Sequence, residues 1–415
     1  MRTTPRAGRG SGAQRIAIVG ANFAGLTAAQ HLSANCNVTV IDASPWFEWL
    51  PNIHELLSGV KRPANLQLPR KRLIARAGHR FILNRVEALD PHAGTLGLTS
   101  GRRIPFDACI VALGGVNDTL GVPGADRHAF PFKTVAHCTA IGQRLARLAR
   151  GTEPVSVVIV GGGLEGVEAL GEILRRYRAR RRLAVHLVEG APTLLPGTPA
   201  VLDAEIRGHC RHFGVQVHTR TLVTRVTPTQ VHLSDGSRLR SDMTIWTGGA
   251  TAPPLLREAG LCDRPKQWAA VAPTLQSRRF TNVLVAGDAA ALPEPVSKQA
   301  YYAMQMGEHA ARNVERLLRG ATLRPFVPAA KPMLLAFGDV DTFLVSGDTV
   351  VAGAALALVK EAVFQLTLAQ IDAPMTPAAL SGLVERWSAG VQQIGLPMLT
   401  SPAAWLRLPR VRVLT

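Results

Sequence analysis

Residues 155–192 read VSVVIVGGGLEGVEALGEILRRYRARRRLAVHLVEGAP. A short apolar run leads into a glycine-rich turn, then a helical pattern, then a second apolar run that ends at Glu189. This order predicts a β-strand, a turn, an α-helix and a second parallel strand, a unit that binds a dinucleotide pyrophosphate at the amino end of its helix. Residues 15–45, RIAIVGANFAGLTAAQHLSANCNVTVIDASP, repeat the order and end their second run at Asp42. Two copies indicate this fold far more specifically than one glycine motif would.

The two glycine turns differ at one position. The second turn keeps the three glycines of the motif, which are Gly161, Gly163 and Gly166. The first turn has Gly20 and Gly25, but Asn22 replaces the middle glycine. Asparagine is one of the few residues that tolerate positive φ, and its side chain hydrogen-bonds locally. We therefore expect Asn22 to be a tolerated variant in a turn that still binds a dinucleotide.

Three further apolar runs extend this pattern. FDACIVALGG (106–115) and MTIWTGGATAPP (243–254) each follow one of the two units and end in small residues. FTNVLVAGDAAALP (280–293) returns later and carries Gly287 and Asp288. The sequence thus predicts an α/β protein with two Rossmann-like dinucleotide-binding domains, the first of them discontinuous.

Composition narrows the function classes. The 415 residues carry a formal net charge of +18, with 47% hydrophobic and 18% charged residues, which is typical of a globular protein attracted to anionic partners. Basic and aromatic residues are not interleaved, so we predict no nucleic-acid partner. The five cysteines are scattered without a C-x-x-C pair, which favours a reducing cytoplasm and predicts neither a disulfide framework nor a metal site.

Several motifs occur in the order found in one family. These are VVIVGGGLEGVEALGEI (157–173), LPNIHELLSG (50–59), FPFKTVAHCTAIGQRLARL (130–148) and the Gly287-Asp288 element with AMQMGEHAARNVERLL (303–318). On these motifs the chain resembles type II NADH dehydrogenases, flavoproteins of the pyridine nucleotide-disulfide oxidoreductase superfamily. The resemblance implies a glutathione-reductase-like two-domain flavoprotein with a small α+β C-terminal region.

The implied boundaries and cofactors follow the two units. The expected order is a disordered basic tail (1–14), an FAD domain (15–120 and 272–321), an NAD(H) domain (121–271) and the C-terminal region (322–415). The FAD residues implied are Gly20, Asn22, Phe23, Ala24, Gly25, Asp42, Ala112, Leu113, Gly114, Gly287 and Asp288. The NAD residues implied are Gly161, Gly163, Leu164, Glu165, Gly166, Glu189 and Gly249. The Glu189 carboxylate would repel a 2′-phosphate, so NADH is expected rather than NADPH.

Four residues are implied in catalysis. Glu168 matches a glutamate that faces the junction of nicotinamide and flavin, although a glutamate in the first helical turn also stabilises a helix amino end. His54 is expected near the flavin as a proton source, or else as a structural histidine. Tyr301 and Gln305 stand where the family carries the two glutamines of an A-Q-x-x-x-Q quinone motif, and Tyr301 departs from it.

The electron acceptor is the least determined part of the function. The region after Asp42 contains no cysteine pair, which argues against a dithiol relay. We expect two electrons to pass from NADH through FAD to a quinone or a quinone-like aromatic acceptor. One alternative is an FAD- and NAD(P)H-dependent oxidoreductase acting on a soluble specialised metabolite. Another is a redox-sensing flavoprotein similar to apoptosis-inducing factor.

The C-terminal region matches the family in outline. PMLLAFGD (332–339) and DTFLVSGD (341–348) predict a hairpin, and a mostly apolar helix follows in residues 350–371, interrupted by Lys360 and Glu361. The end, AAWLRLPRVRVLT (403–415), combines Trp405 with Arg407, Arg410 and Arg412. Two interpretations stand equal: a contact with an anionic membrane surface, peripheral to the inner face of the cell membrane, or packing within the protein or a homodimer.

Overall fold

The computed structural model describes residues 14–180, 182–372 and 411–414. Its α-helices are α1 (Phe23–His31), α2 (Glu55–Ser58), α3 (Pro63–Leu66), α4 (Arg70–Arg76), α5 (Ala125–His128), α6 (Val135–Leu148), α7 (Leu164–Tyr177), α8 (Ala200–His212), α9 (Leu255–Glu258), α10 (Ala300–Leu318) and α11 (Leu356–Ile371). Short 3₁₀ turns occupy Leu50–Asn52 and Gly287–Ala289.

The strands are β1 (Arg15–Val19), β2 (Asn37–Asp42), β3 (Trp46–Glu48), β4 (Gln67–Pro69), β5 (Arg80–Leu83), β6 (Val86–Asp90), β7 (Thr95–Leu98), β8 (Arg103–Pro105), β9 (Ala108–Val111), β10 (Val116–Asn117), β11 (Ala129–Pro131), β12 (Val155–Val160), β13 (Leu183–Val188), β14 (Gln216–His218), β15 (Val223–Val226), β16 (Gln230–Leu233), β17 (Arg238–Arg240), β18 (Met243–Trp246), β19 (Ala250–Thr251), β20 (Ala269–Ala270), β21 (Val283–Val285), β22 (Ala290–Ala291), β23 (Met333–Phe337), β24 (Asp341–Ser346), β25 (Thr349–Ala352) and β26 (Arg412–Leu414).

Each predicted nucleotide unit forms the centre of its own parallel sheet. The first sheet has the order β21-β9-β1-β2-β5, and the second has the order β11-β18-β12-β13-β14. The inner strands β1 and β12 are buried along nearly their whole length, which explains why both read as continuous apolar runs rather than alternating ones. The predicted α/β fold with two Rossmann-like units is confirmed.

Parallel pairing brings the turn and the acid of each unit to one edge. In the first sheet Val19 at the end of β1 pairs with Ile41, one residue before Asp42. In the second sheet Val160 pairs with Val188, one residue before Glu189. Because the carboxyl ends of parallel strands meet at the same edge, each glycine turn lies beside its own acid.

The described chain divides into two compact units. The first contains the residues up to Phe47, Pro69–Gly115 and Thr251–Pro328, and the second contains Glu48–Leu68, Val116–Ala250 and the chain from Ala329 onwards.

These units differ from the predicted domains in two internal segments, and also at residues 116–120 and in the predicted C-terminal region, which is divided between the first unit (to Pro328) and the second (from Ala329). Residues 48–68 join the second unit, where the Glu48 carboxylate accepts a hydrogen bond of 3.2 Å from the backbone N–H of Val135. Residues 251–271 join the first unit, where β20 pairs in parallel with β22.

The C-terminal region contains the predicted hairpin. β23 and β24 pair antiparallel, and β25 and β26 extend them into a four-stranded sheet. Arg412, predicted at a membrane or subunit contact, lies in β26 and donates to the Asp341 carboxylate at 2.7 Å. Trp405, Arg407, Arg410 and the predicted basic tail (1–14, apart from Gln14) lie outside the described residues.

Candidate functional site

Both glycine turns are shaped by a close approach between helix and strand. A Cβ at Gly25 would collide with the carbonyl oxygen of Gly20, and a Cβ at Gly166 would collide with that of Gly161. Gly20 and Gly161 themselves have φ of +92° and +106°, values that disfavour residues with a side chain. These four glycines let each helix begin directly against its first strand.

Asn22 is tolerated for a different reason from the one predicted. It precedes α1 with φ −94°, and Gly163 precedes α7 with φ −74°, so this position requires no positive φ in either turn. A Cβ at Gly163 would meet no described protein atom within 4 Å. Gly163, the middle glycine of the second motif, therefore faces open space, as expected of a turn shaped to accept a pyrophosphate.

Asp42 and Glu189 hold their turns in the same way. The Asp42 carboxylate accepts the N–H groups of Ala21 at 2.7 Å and Ser44 at 2.8 Å. The Glu189 carboxylate accepts those of Gly162 at 2.6 Å and Ala191 at 2.7 Å. Each acid thus orders its own glycine turn, and its predicted contact with a ribose stays a prediction.

The other predicted cofactor residues lie in the expected units. Ala112, Leu113 and Gly114 directly follow β9, and a Cβ on Gly20 would collide with the Ala112 carbonyl. Gly287 lies where a Cβ would come within 3.1 Å of the Cβ of Ala24. Leu164, Glu165 and Gly166 form the first turn of α7, while Phe23, Ala24 and Gly25 form that of α1. Gly249 follows β18 and accepts from the N–H of Asp118 at 3.0 Å.

Glu168 and His54 meet in a buried cluster of the second unit. His54 Nδ1 lies 3.2 Å from Oε2 of Glu168. Lys360 of α11 pairs with Oε1 of the same carboxylate, and its Nζ lies 3.4 Å from His54 Nε2. Glu168, His54 and Lys360 are 6%, 1% and 9% exposed, so they have little contact with solvent.

Burial determines the protonation of this cluster. It lowers the pKa of His54 well below its ordinary value, and the positive charges of Lys360, Arg175 and Lys61 lower it further. His54 is therefore neutral at physiological pH, with Nδ1–H donating to Glu168 and Nε2 accepting from Lys360. Burial raises the pKa of Glu168 although Lys360 opposes the shift. His54 thus links two groups rather than acting as a cationic proton source.

A second buried network adjoins α11 in the same unit. Lys61 Nζ lies 2.6 Å from Glu361 and 3.3 Å from Glu55. Burial alone would lower the pKa of Lys61, but the two carboxylates outweigh it and raise the pKa. Asn52 donates to Glu55 at 3.0 Å and Gln365 donates to Glu361 at 2.7 Å. Two buried carboxylates are thus held around one ammonium group.

Glu172 lies one helical turn after Glu168. Its carboxylate accepts from the Ser58 hydroxyl and lies 3.2 Å from Arg175. Burial raises its pKa to about 7, and Arg175 only partly offsets this. Glu172 is therefore a carboxyl that binds or releases a proton near neutral pH.

Comparison with known proteins identifies the family. The model of the pyridine nucleotide-disulphide oxidoreductases matches residues 14–307. The chain belongs to this family. It is therefore an oxidoreductase, as the resemblance to type II NADH dehydrogenases implied.

Individual relatives of the chain are distant but extend over most of its length. The demethylphylloquinone reductase NdbB of a Synechocystis strain is 26% identical over 369 residues, which is 84% of this chain and 91% of that protein. The type II NADH:quinone oxidoreductase of Staphylococcus aureus is 23% identical over 380 residues, covering 84% and 94% of the two chains. The solved structure of NDH2 from Plasmodium falciparum superposes with a TM-score of 0.78 at 14% identity and covers 92% of this chain and 97% of that one.

Tyr301 and Gln305 belong to the first unit of this oxidoreductase. They lie one turn apart on α10 and are half-buried. The rings of Tyr301 and Tyr302 lie with centroids 4.1 Å apart. Tyr301 and Gln305 therefore share one face of α10. The opposite face packs against α1, where a Cβ on Gly307 would collide with the Ala24 carbonyl.

Sequence reasoning missed Lys360 as a partner of Glu168. A signal was present, since Lys360 and Glu361 interrupt an otherwise apolar helix. Charges in such a position are costly unless paired. Their partners lie about 190 and 300 residues away along the chain, so only the fold identifies them.

The protonation of Glu172 predicts a pH-dependent stability. The folded protein binds this proton more tightly than the unfolded chain, so the contribution of Glu172 to stability is lost as the pH rises through about 7. Because of this loss, the Tm of the wild type should fall between about pH 5 and about pH 8. The Tm of Glu172→Gln should fall by several degrees less over the same range. Glu153→Gln, at an exposed position, is the control. Parallel Tm curves for wild type and Glu172→Gln would contradict the assignment.

Proposed function

We propose that this protein is an FAD-dependent NADH dehydrogenase that delivers two electrons to a quinone. The observation that carries the proposal is the pair of dinucleotide-binding units, each with its own ordered turn and acid. The names of the relatives support it, because they specify NADH and quinones. They do not favour the soluble-metabolite or the redox-sensing alternative.

The assignment of cofactors follows the differences between the units. The first unit, with Asp42 and the Gly287-Asp288 turn, takes FAD. The second unit, with Glu189, takes NADH, because its carboxylate repels the extra phosphate of NADPH. When bound, the flavin accepts a hydride and passes on electrons, and the chain's own groups bind and orient the two dinucleotides.

The buried cluster of Glu168, His54 and Lys360 supplies the proton chemistry in this proposal. Reduction of a quinone to a quinol takes up two protons together with two electrons. Lys360 donates a hydrogen bond to the Glu168 carboxylate, whose pKa is raised by burial, so the cluster brings proton donors and acceptors together away from bulk water. Neutral His54 holds Glu168 and Lys360 in place, because it donates a hydrogen bond to Glu168 and accepts one from Lys360.

The acceptor site includes Tyr301 and Gln305. A tyrosine ring stacks on an aromatic acceptor, and its hydroxyl donates a hydrogen bond. Tyr301 replaces the glutamine of the family motif with a larger flat surface, and Gln305 keeps the amide. The pair is therefore suited to a quinone or a similar aromatic acceptor.

The exposed face of α11 supports contact with a membrane surface. Leu358, Val359, Val363 and Leu366 are between 39% and 59% exposed, while Lys360 and Glu361 on the inner face are buried. This reverses the usual arrangement, in which a surface helix turns its charges towards water. No helix among the described residues is long and apolar enough to cross a membrane. With the net charge of +18, we propose that α11 rests on an anionic lipid surface.

The acceptor assignment predicts selective quinone reduction. The NADH oxidation rate with a short-chain quinone should exceed the rate with oxygen. Tyr301→Ala should lower kcat/KM for the quinone about tenfold, because a stacking surface is lost. The rate with ferricyanide, a small inorganic acceptor that needs no aromatic pocket, is the control and should hardly change. A quinone rate no higher than the oxygen rate would contradict the proposal.

Asp42 and Glu189 provide a matched test of the two nucleotide sites. Glu189→Gln should reduce the preference for NADH over NADPH by about tenfold, because the repelling charge is removed. It should leave the FAD content unchanged. Asp42→Asn should weaken FAD retention and leave the nucleotide preference unchanged. If the two variants exchange these phenotypes, the cofactor assignment is reversed.

The membrane proposal predicts a specific loss of vesicle binding. Leu366→Glu should reduce cosedimentation with phosphatidylglycerol vesicles severalfold, because it places a charge on the apolar face. Leu83→Glu, 53% exposed in the first unit, is the control. Unchanged cosedimentation would refute the role of α11. A reduced molecular mass in size exclusion without a change in vesicle binding would instead indicate a homodimer contact.

A further inference from the structure

Arg70 lies at the first nucleotide site, although it is far from the glycine motif in the sequence. It is the first residue of α4 and only 5% exposed. Its Nε donates to the Ala21 carbonyl at 2.9 Å, within the glycine turn. Its Nη1 contacts Asp42 at 2.5 Å and the Ser44 carbonyl at 2.9 Å, after β2. One guanidinium thus joins the turn to the acid.

The Asn22 side chain also lies beside this guanidinium. Arg70 Nη2 lies 3.5 Å from the Asn22 side-chain oxygen, a long hydrogen bond. The side chain that replaces the middle glycine therefore lies within hydrogen-bond reach of Arg70. This contact has no counterpart in the second unit, where the same position is Gly163.

The second unit is built on the same plan without the arginine. Glu189 accepts two backbone N–H groups in the same positions as Asp42. Among the described residues, no lysine or arginine forms an ion pair with Glu189, whereas Asp42 pairs with Arg70. The chain thus contains two versions of one site that differ by a buried cation.

The Arg70 cation reduces the conformational entropy that the first nucleotide site loses when it binds a dinucleotide. A planar guanidinium with several fixed hydrogen bonds holds the turn, the acid and the Asn22 side chain in one arrangement before a ligand arrives. A site that is ordered in advance loses less conformational entropy on binding and releases its ligand more slowly. A turn held by its carboxylate alone keeps more freedom, which suits a substrate that must leave after each turnover.

We propose that Arg70 is the positioning residue that makes the first unit retain its dinucleotide, while the second unit exchanges its own. The proposal rests on the assignment of FAD to the first unit. It concerns retention of the cofactor and not the chemical step, because Arg70 hydrogen-bonds the glycine turn, Asp42 and Ser44.

The test compares two Arg70 variants with an adjacent control. FAD release from purified holoenzyme is followed by the rise of flavin fluorescence after dilution, and NAD⁺ affinity of the second unit is measured by equilibrium dialysis. Arg70→Gln should release FAD at least about tenfold faster, since it loses charge-assisted hydrogen bonds. Arg70→Lys, which keeps the charge without the planar fork, should fall between Gln and wild type. Lys71→Gln, exposed on the same helix, should match the wild type, and NAD⁺ affinity should stay within about twofold in all three.

The outcomes separate this inference from the cofactor assignment. If Arg70→Gln releases FAD no faster than Lys71→Gln while Asp42→Asn does, the role of Arg70 is refuted and the assignment stands. If neither Arg70→Gln nor Asp42→Asn accelerates release, both fail. If Arg70→Gln loses affinity for FAD and NAD⁺ alike, the chain is misfolded and Arg70→Lys decides: faster FAD release with normal NAD⁺ affinity supports the proposal, and unchanged release refutes it.

Discussion

A single steric constraint underlies both nucleotide units. In each, the carbonyl oxygen of the first motif glycine lies where a Cβ of the last motif glycine would be. The helix can begin so close to its strand only because both residues lack a side chain. That contact directs the amino end of the helix to the carboxyl edge of a parallel sheet, next to the acid that ends the neighbouring strand. The turn, the acid and the residues that follow the third strand depend on this arrangement.

The second organising feature is buried charge in the second unit. Unpaired, a buried carboxylate or ammonium would cost several kcal/mol, yet each one here has a partner. Lys360 pairs with Glu168, and Lys61 lies between Glu55 and Glu361. Because α11 contributes Lys360 and Glu361 to these pairs, its charged face turns inwards and its apolar face outwards. The composition of the helix thus links the buried cluster of Glu168, His54 and Lys360 to the proposed lipid contact.

The two nucleotide units share one arrangement of turn and acid, and we propose that they bind different dinucleotides. Asp42 and Glu189 order their turns through the same pair of backbone contacts, but among the residues that the structure describes a buried cation pairs with Asp42 and none with Glu189. Asn22 fits the first turn because its φ is negative and Arg70 binds its side chain, not because asparagine tolerates positive φ. The departure from the glycine motif at Asn22 thus belongs to the site that also contains a buried arginine.

The sequence by itself determined the two glycine turns, their acids and the parallel strand pair of each unit, because these depend on residues within about 40 positions of one another. It also singled out Glu168 and His54, although not their contact. Only the tertiary structure decided that Lys360 pairs with Glu168, that Arg70 holds Asp42 and Asn22, that Arg412 lies in a sheet, and that residues 48–68 join the second unit. Those partners meet through packing between elements far apart in the chain, and no local pattern encodes which buried charge will find which partner.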